Sequence, residues 1–333
     1  MGGVLISSDW HLTDSPKDEY RWRIFDTIRL EAKKRHKVTA ITILGDISDK
    51  KDRHSSILVN RMVQEFVSLQ TSTEADIYIL KGNHDIPDGG VPYWEFMGNI
   101  PGIRVITEPS MVSIEERAFV MLPHSKDPEL DWKSLDFNRI SGATILAHQT
   151  ISGALLSNGQ KVINDFQFPD SAQIISGDVH VPQTIRNVTY VGAPHPVRFG
   201  DDYSPRILFW NKGSLESIPV RTIAKKMVRT DFVDGLFPEL RKGDQIKIEA
   251  TITEKDSQDL QDLEKRIRDH CAASGAELES LRFNISVKGD SGTSSESIEG
   301  GDDLDTLVAF SAHSGISDEL LQIGAEIVIG ESA

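Results

Sequence analysis

The stretch Leu80-Lys81-Gly82-Asn83-His84-Asp85 joins the end of a predicted strand to three chemically capable side chains. The apolar run at 77–80 predicts a buried strand, and an amide, an imidazole and a carboxylate follow the glycine directly. Such groups can bind a metal ion or move a proton. Open α/β folds bind ligands at the carboxyl ends of their strands, so this stretch predicts a site. Taken alone, it could also be a polar turn with Asn and Asp as turn formers.

Four other predicted strands also end in polar, metal-capable residues, and this repetition favours a site over a turn. Those residues are Asp9 and His11, Asp46 and Asp49, His148, and Asp178 and His180. Carboxylate oxygen combined with imidazole nitrogen suits Mn, Fe or Zn better than Ca or Mg. A single Asp-x-His pair is weak evidence, so the prediction depends on the whole set.

The elements that must position these residues alternate between strand and helix. Apolar strands are expected at 4–7, 40–44 and 77–80, and helices at 19–37 and 55–69. In the first helix, Trp22, Phe25, Ile28 and Leu30 are expected on one face. After Trp94 the strands become short and closely spaced, which indicates a more antiparallel second half. We therefore predict an α/β fold of two facing mixed β-sheets flanked by helices.

Length and composition allow one large domain and a smaller one within 333 residues. The net charge of −15 argues at first against nucleic-acid binding. However, bound divalent cations neutralise carboxylates, and much of the acid lies after Gly289. The single cysteine, Cys271, excludes an intramolecular disulfide. With no secretory signal or membrane-spanning run in the sequence, we expect a soluble cytoplasmic protein.

The ordered motifs resemble a known signature. Asp9-x-His11, Gly45-Asp46-x-x-Asp49, Gly82-Asn83-His84-Asp85, His148 and Gly177-Asp178-x-His180 resemble the five motifs of the calcineurin-like metallophosphoesterases. Within that superfamily the chain is most similar to the Mre11/SbcD DNA nucleases, phage-encoded versions included. The segments that carry this closer likeness are His148-Gln149 and Tyr190-Val191-Gly192-Ala193-Pro194 followed by Phe199. The resemblance implies a four-layer metallophosphoesterase sandwich with a small α+β capping domain.

The resemblance also implies two divalent metal ions, Mn²⁺ in the first place and Mg²⁺ as the alternative. One ion would be held by Asp9, His11, Asp46 and His180, and the second by Asp46, Asn83, His148 and Asp178. Asp46 would bridge, and a hydroxide between the metals would attack the phosphodiester. His84 occupies the position that the family uses to protonate or steady the leaving group. Asp85 is expected to orient the His84 ring.

Asp178 departs from the family pattern, which is usually Gly-His-x-His at the fifth motif. As a harder ligand, Asp178 should shift the second site toward Mn or Mg and away from Zn. The alternative is a lost second site and an inactive protein. The remaining predicted ligands and catalytic residues are intact, and this favours a working site.

The chain is expected to divide into several parts. These are a metallophosphoesterase (nuclease) domain at 1–218, a linker at 219–230, a capping domain at 231–289, a flexible acidic linker at 290–303 and a helical tail at 304–333. In the capping domain we expect a strand at 245–252, a helix at 259–273 and a strand at 283–287.

The tail carries apolar residues at helical spacing, which predicts a partner-binding helix. In the resembling nucleases, C-terminal helices bind the coiled-coil base of an ATPase. We therefore expect residues 304–333 to dock an SMC-like ATPase of the Rad50/SbcC type. A helix folded back on the capping domain is the alternative. The expected partners also include DNA and a second copy of the chain, and no membrane.

Three functions fit these observations. The first is a DNA exonuclease or endonuclease subunit that acts with the ATPase in DNA end processing, repair or recombination. The second is another calcineurin-like phosphoesterase, such as a phosphoprotein phosphatase or a nucleotide phosphodiesterase, which the acidic charge mildly favours. The third is a metal-containing scaffold without catalysis, which only the Asp178 departure supports. Outside the motifs, His124 is expected to be a loop residue remote from the site, and His195 to contact phosphate or be structural.

Overall fold

The structure is a computed structural model that describes residues 2–35, 37–87, 90–133, 135, 143–230, 239–253 and 260–286. The predicted acidic linker at 290–303 and the predicted tail at 304–333 lie outside these residues. All described residues belong to one compact unit, Met1–Ser286.

The strands are numbered in chain order. They are β1 (Gly3–Ser7), β2 (Val38–Ile43), β3 (Asp76–Leu80), β4 (Ile103–Ile106), β5 (Ser110–Ile114), β6 (Arg117–Leu122), β7 (Thr144–Ala147), β8 (Gln173–Ser176), β9 (Gln183–Ile185), β10 (Val188–Tyr190), β11 (Arg206–Asn211), β12 (Ser214–Pro219), β13 (Lys225–Thr230), β14 (Gln245–Thr253) and β15 (Glu277–Ser286). The α-helices are α1 (Arg23–Lys34), α2 (Ser56–Thr73), α3 (Pro128–Asp131) and α4 (Leu260–Ser274), and two 3₁₀ helices span Pro16–Trp22 and Tyr93–Asn99.

Two six-stranded mixed sheets form the body of the protein, with strand orders β12-β11-β1-β2-β3-β4 and β5-β6-β7-β8-β10-β9. Strands β1 to β4 run parallel, while β11 and β12 complete the first sheet with antiparallel pairs. With its flanking helices this is the predicted α/β sandwich, and the fold prediction is confirmed.

Side chains alternate between two hydrophobic clusters along the central strands. In β1, Leu5 packs with α1 and α2 in one cluster, whereas Val4 and Ile6 pack with residues of the second sheet, such as Phe119 and Ile175, in the other. Both faces of the first sheet are therefore buried, as expected for strands that read as continuous apolar runs. The burial holds the strand ends in fixed relative positions.

The first predicted helix differs from the observed one at its beginning and on one face. Residues 16–22 form a 3₁₀ helix before α1, and Leu30 is 53% exposed, whereas Trp22, Phe25 and Ile28 are buried as predicted. Leu30 lies two positions from Ile28, and residues two apart on a helix do not share a face. Helix α2 begins after Ser55, whose hydroxyl accepts a hydrogen bond from the Leu58 amide as an N-cap.

The second sheet is less antiparallel than the sequence predicted. Its central strands β6, β7 and β8 are parallel, as is β10 beside β8, and only the edge pairs are antiparallel. Short strands can still be parallel when the intervening chain crosses over the sheet, and strand spacing alone does not show this.

A third sheet, β13-β14-β15, packs against α4 around Ile246, Ile248, Ile267 and Cys271. The strand expected at 245–252 and the helix expected at 259–273 correspond to β14 and α4, whereas the last strand, β15, begins at Glu277, before the predicted start at 283. However, Lys225–Thr230, which we placed in the linker at 219–230, forms strand β13 parallel to β14. The linker prediction is wrong there because Lys225 is buried against Asp18 and does not face solvent.

No helix among the described residues has the length and apolar character needed to cross a membrane.

Candidate metal centre

Every predicted site residue follows the carboxyl end of a strand. Asp9 and His11 follow β1, Asp46 follows β2, Asn83 to Asp85 follow β3, His148 follows β7, and Asp178 and His180 follow β8. Because β1, β2 and β3 are parallel neighbours, their ends lie at one edge of the first sheet. The facing sheet brings the ends of β7 and β8 to the same place.

The backbone around the site takes conformations that L-residues rarely adopt. Asp9, His11, Asp46 and Asp178 have positive φ angles of 57°, 44°, 55° and 75°. Each such residue costs on the order of 1–3 kcal/mol, and the surrounding fold must hold it in place. Strain of this kind commonly concentrates at functional sites.

Glycine lets two of these loops touch. A Cβ atom on Gly82 would lie 2.2 Å from Oδ1 of Asp46. A Cβ atom on Gly177 would lie 2.0 Å from Oγ of Ser8. Neither approach is open to a larger residue, so glycine is required where the motif loops meet.

The first predicted ligand set is assembled. Single donor atoms of Asp9, His11 and His180 all lie within 4.8 Å of one another. The Nε2 atoms of His11 and His180 are 3.1 Å apart, and Nε2 of His11 lies 3.7 Å from Oδ2 of Asp46. These residues are close enough to share one cation.

The second predicted set is also assembled, with Asp178 at its edge. Nε2 of His148 lies 3.5 Å from Oδ1 of Asp46, 3.1 Å from Oδ1 of Asn83 and 3.6 Å from Oδ1 of Asp178. The other carboxylate oxygen of Asp178 accepts a hydrogen bond from the Thr150 hydroxyl. Asp46 therefore turns one oxygen toward each set, as a bridging residue would.

Burial and neighbouring charge disfavour the ionised forms of these groups. Burial, together with the carboxylate of Asp46, raises the pKa of Asp9 to about 8 against the opposing effect of His148. Burial, with Asp85 nearby, raises the pKa of Asp46 well above its usual range. Burial also lowers the pKa of His11 well below normal and that of His180 to about 4. Neutral imidazoles present lone pairs, which are what a metal ion binds.

The donor chemistry fits divalent cations. Oδ2 of Asp9 and Nδ1 of His11 are buried and have no hydrogen-bond partner within the part of the chain that the structure describes. The side-chain carbonyl oxygen of Asn83 faces other acceptor atoms. With the oxygen and nitrogen of this side chain exchanged, its NH₂ group would donate to both oxygens of Asp46, at 2.9 and 3.1 Å. A cation between these acceptors would favour the carbonyl orientation. Oxygen and imidazole nitrogen together suit Mn, Fe or Zn.

The His148 ring is oriented by a backbone carbonyl that is not one of the predicted ligands. Its Nδ1 atom donates a hydrogen bond to the Leu44 carbonyl, which leaves Nε2 as the acceptor that faces Asp46 and Asn83. A hydrogen bond from the far ring nitrogen is the usual way to fix the tautomer of a metal-binding histidine.

His84 is half-buried, whereas His11 and Asp46 beside it are buried. Its Nδ1 atom is 2.7 Å from the Asp49 carbonyl, and its backbone amide donates to Oδ1 of Asp46 at 2.8 Å. The Nε2 atom is thereby left to carry or release a proton. Atoms of His84 also lie within 4.8 Å of donor atoms of His11 and Asp46, so ligation is geometrically open to it.

Asp85 does not orient the His84 ring, and that expectation is wrong. Oδ2 of Asp85 accepts hydrogen bonds from the amides of Asp46 and Gly82, both at 2.8 Å, and Oδ1 accepts one from Ile47 at 3.1 Å. The carbonyl of Asp49 takes the place beside His84 instead. Asp85 ties the loops after β2 and β3 together, and it supports the bridging residue Asp46.

Sequence reasoning missed Arg21, which is 4% exposed. Its Nη1 atom donates to the His11 carbonyl at 2.5 Å, and Nη2 donates to the Val197 carbonyl at 3.2 Å. Nη2 also pairs with Asp18 at 3.2 Å. An arginine within a charged helical stretch resembles a surface residue, and no local signal indicates these distant carbonyls.

Two histidines outside the motifs are also better defined by the structure. The His124 ring lies 6.0 Å from that of His148, so the prediction that it is remote from the site is wrong. Burial, with His148 nearby, lowers its pKa to about 4. His195 is buried and its Nε2 atom is 2.7 Å from the Trp10 carbonyl, which corresponds to the structural alternative.

Comparison with known proteins agrees with this geometry. The model of the calcineurin-like phosphoesterase family matches residues 3–182, a range that includes all five motifs. The match spans more than half of the chain, and the protein belongs to that family. The predicted resemblance is confirmed.

The chain is also similar to one curated protein and to two solved structures. Exonuclease subunit 1 of Enterobacteria phage T4 is 26% identical over 220 residues, which are 62% of this chain and 63% of that protein. The alignment therefore spans less than two thirds of that relative. A solved archaeal phosphodiesterase is 14% identical with a TM-score of 0.35, covering 66% of this chain and 99% of its own. A solved protein of unknown function from Aquifex aeolicus is 13% identical with a TM-score of 0.28, covering 44% and 78%.

The role of Asp85 can be tested by Asp85→Asn. This change turns one acceptor oxygen into a donor, so at least one of three buried amides loses its partner. We expect the free energy of unfolding to fall by about 1–3 kcal/mol in urea denaturation. We also expect weaker Mn²⁺ binding in calorimetric titration, because the loop that carries Asp46 loses its support. Asp76→Asn, at the exposed start of β3, is the control. Unchanged stability and metal affinity with only a slower turnover would instead support an action on His84.

Proposed function

We propose that this protein is a nuclease that hydrolyses DNA phosphodiesters with two divalent metal ions, most effectively Mn²⁺. The observation that carries the proposal is the pair of buried acceptor sets that share Asp46, with His84 beside them. The relative named an exonuclease subunit supports DNA as the substrate. The grouping of Asp9, Asp46 and His148 and that of Asp9, His11 and His180 also support the proposal.

We assign the residues the following roles in this reaction. Asp9, His11, Asp46 and His180 would hold one ion, and Asp46, Asn83, His148 and Asp178 the other. When bound, such a pair of cations neutralises charge on the phosphate and lowers the pKa of a water molecule. His84, as the imidazolium, would give its Nε2 proton to the departing sugar oxygen and keep the Nδ1 proton that is hydrogen-bonded to the Asp49 carbonyl. Arg21 and Asp85 would fix the loops without touching the substrate.

The proposal is tested by incubating the purified protein with Mn²⁺ and either linear DNA or p-nitrophenyl phosphate. A nuclease cleaves the DNA and acts poorly on the monoester. Preference for the monoester would favour a phosphatase, and inactivity on both would favour a scaffold.

The role of His84 is tested by His84→Gln. We expect turnover to fall by about 10²- to 10⁴-fold, because general acid catalysis is lost, while metal content stays at the wild-type level. Asp46→Ala removes the shared residue and should lose metal and activity together. Elemental analysis of the two variants distinguishes these outcomes. A metal-depleted His84→Gln protein would show that His84 is a ligand.

The role of Asp178 is tested by Asp178→Ala. As a hard oxygen ligand, Asp178 should make activity highest with Mn²⁺ and leave Zn²⁺ a poor activator. The variant should bind less than the full complement of metal. Thr150→Val, which removes the hydroxyl that binds the other oxygen of Asp178, is the control and should retain both ions. Full activity and two bound metals in Asp178→Ala would exclude it as a ligand.

We further propose that residues 304–333 dock a Rad50/SbcC-type ATPase. The tail lies outside the described residues, so this proposal rests on its apolar spacing in the sequence and on the relative's designation as a subunit. The homodimer implied by the resemblance stays a prediction.

The docking proposal is tested by deleting residues 303–333. Manganese-dependent DNA cleavage should remain, because the predicted site residues lie between Asp9 and His180. Co-purification with the ATPase and stimulation by ATP should be lost. Recovery of the ATPase by the truncated protein in a pull-down would contradict the proposal.

A further inference from the structure

A groove of about 830 Å³ opens beside the candidate metal centre. Two of the predicted ligands, Asp178 and His180, form part of its wall. Residues 156–158 from the chain after β7, residues 198–201, and Met227 and Arg229 of β13 form its other walls. The groove therefore leads from the metal centre to the third sheet.

The turn that carries Arg198 is held rigidly. The backbone amides of Val197 and Arg198 both donate to Oδ2 of Asp201 at 2.8 Å, and Asp201 is 8% exposed. On the other side of Arg198, the Phe199 ring is contacted by the ammonium groups of Lys225 and Lys247 at 5.5 and 4.4 Å. The position from which the arginine side chain projects is thus fixed.

Arg198 differs from Arg229 and Lys225 because no carboxylate pairs with its guanidinium in the part of the chain that the structure describes. Arg229 pairs with Glu249 at 2.9 Å, and Lys225 with Asp18 at 3.1 Å. Across the described ranges of the chain, the Arg198 guanidinium forms no hydrogen bond or ion pair, and the residue is exposed.

We propose that Arg198 binds a backbone phosphate of a nucleic-acid strand, next to the phosphodiester that lies at the metal centre. A guanidinium can give two parallel hydrogen bonds to one phosphate group. A strand carries a further phosphate beside the one that is cleaved, whereas a simple phosphate ester has none. Arg198 would thereby select a polymer, and this inference rests on the proposed nuclease function.

The inference is tested with Arg198→Gln and with two substrates in Mn²⁺. One is a short single-stranded oligodeoxynucleotide, and the other is bis(p-nitrophenyl) phosphate, a diester with a single phosphate. We expect KM for the oligonucleotide to rise about 10- to 100-fold with little change in kcat, because one charged contact is lost. The kcat/KM on the small diester should stay at the wild-type value. Arg198→Lys should restore part of the oligonucleotide KM.

A salt series and a binding assay complete the test. For a phosphate contact, the slope of log affinity against log salt should become shallower by about 0.7 in Arg198→Gln, measured by fluorescence anisotropy of the labelled strand. Arg117→Gln, an exposed arginine outside the groove, is the matched control and should leave the slope unchanged.

The outcomes separate this inference from the proposed function. Absence of cleavage of both substrates by the unaltered protein overturns the nuclease function. An unchanged affinity and salt slope in Arg198→Gln overturns the phosphate contact, whether or not cleavage occurs. An equal loss on both substrates also overturns it, since Arg198 would then support the metal centre itself.

Discussion

The fold must hold several carboxylates and imidazoles close together in the buried candidate metal centre. Asp9, Asp46, His11, His148 and His180 are all buried or nearly so, and their donor atoms lie 3 to 5 Å apart. Carboxylates in such surroundings repel one another and are poorly solvated, so their pKa values rise. Divalent cations relieve both effects at once. The rest of the fold can be understood as the framework that keeps these groups in position before any cation binds.

Three features of the fold hold these groups in position. The doubly buried first sheet fixes where its strands end, and glycines at 82 and 177 allow the following loops to come into contact. Asp85 then binds three backbone amides and fastens the loop of Asp46 to the loop of Asn83. These contacts oppose the repulsion between the buried carboxylates, and His84 beside them is only half-buried.

The sequence predicted those features of the fold and of the candidate site that short stretches of sequence indicate by themselves. Each predicted ligand follows its own strand within a few residues, so the strand pattern and the polar residues together indicated both the fold and the site. Arg21 was missed, and Asp85 and Lys225 were misjudged, because each has a partner that is distant in sequence: Val197 lies 176 residues from Arg21, Asp46 lies 39 from Asp85, and Asp18 lies 207 from Lys225. Such charged residues resemble surface or catalytic groups until the tertiary contacts are known.

These distant contacts also join the third sheet to the metal centre. Lys225 of β13 pairs with Asp18, Asp18 pairs with Arg21, and Arg21 binds the carbonyl of His11. Because Lys225 and Arg21 are buried, their charges cannot turn to water if the chain of contacts is broken. A displacement of β13 must therefore carry Asp18 with it or leave buried charges unpaired. Lys225 also contacts the ring of Phe199, which is next to Arg198 in the wall of the groove. Strand β13 therefore helps to position both that wall and, through Asp18 and Arg21, the backbone of the predicted ligand His11.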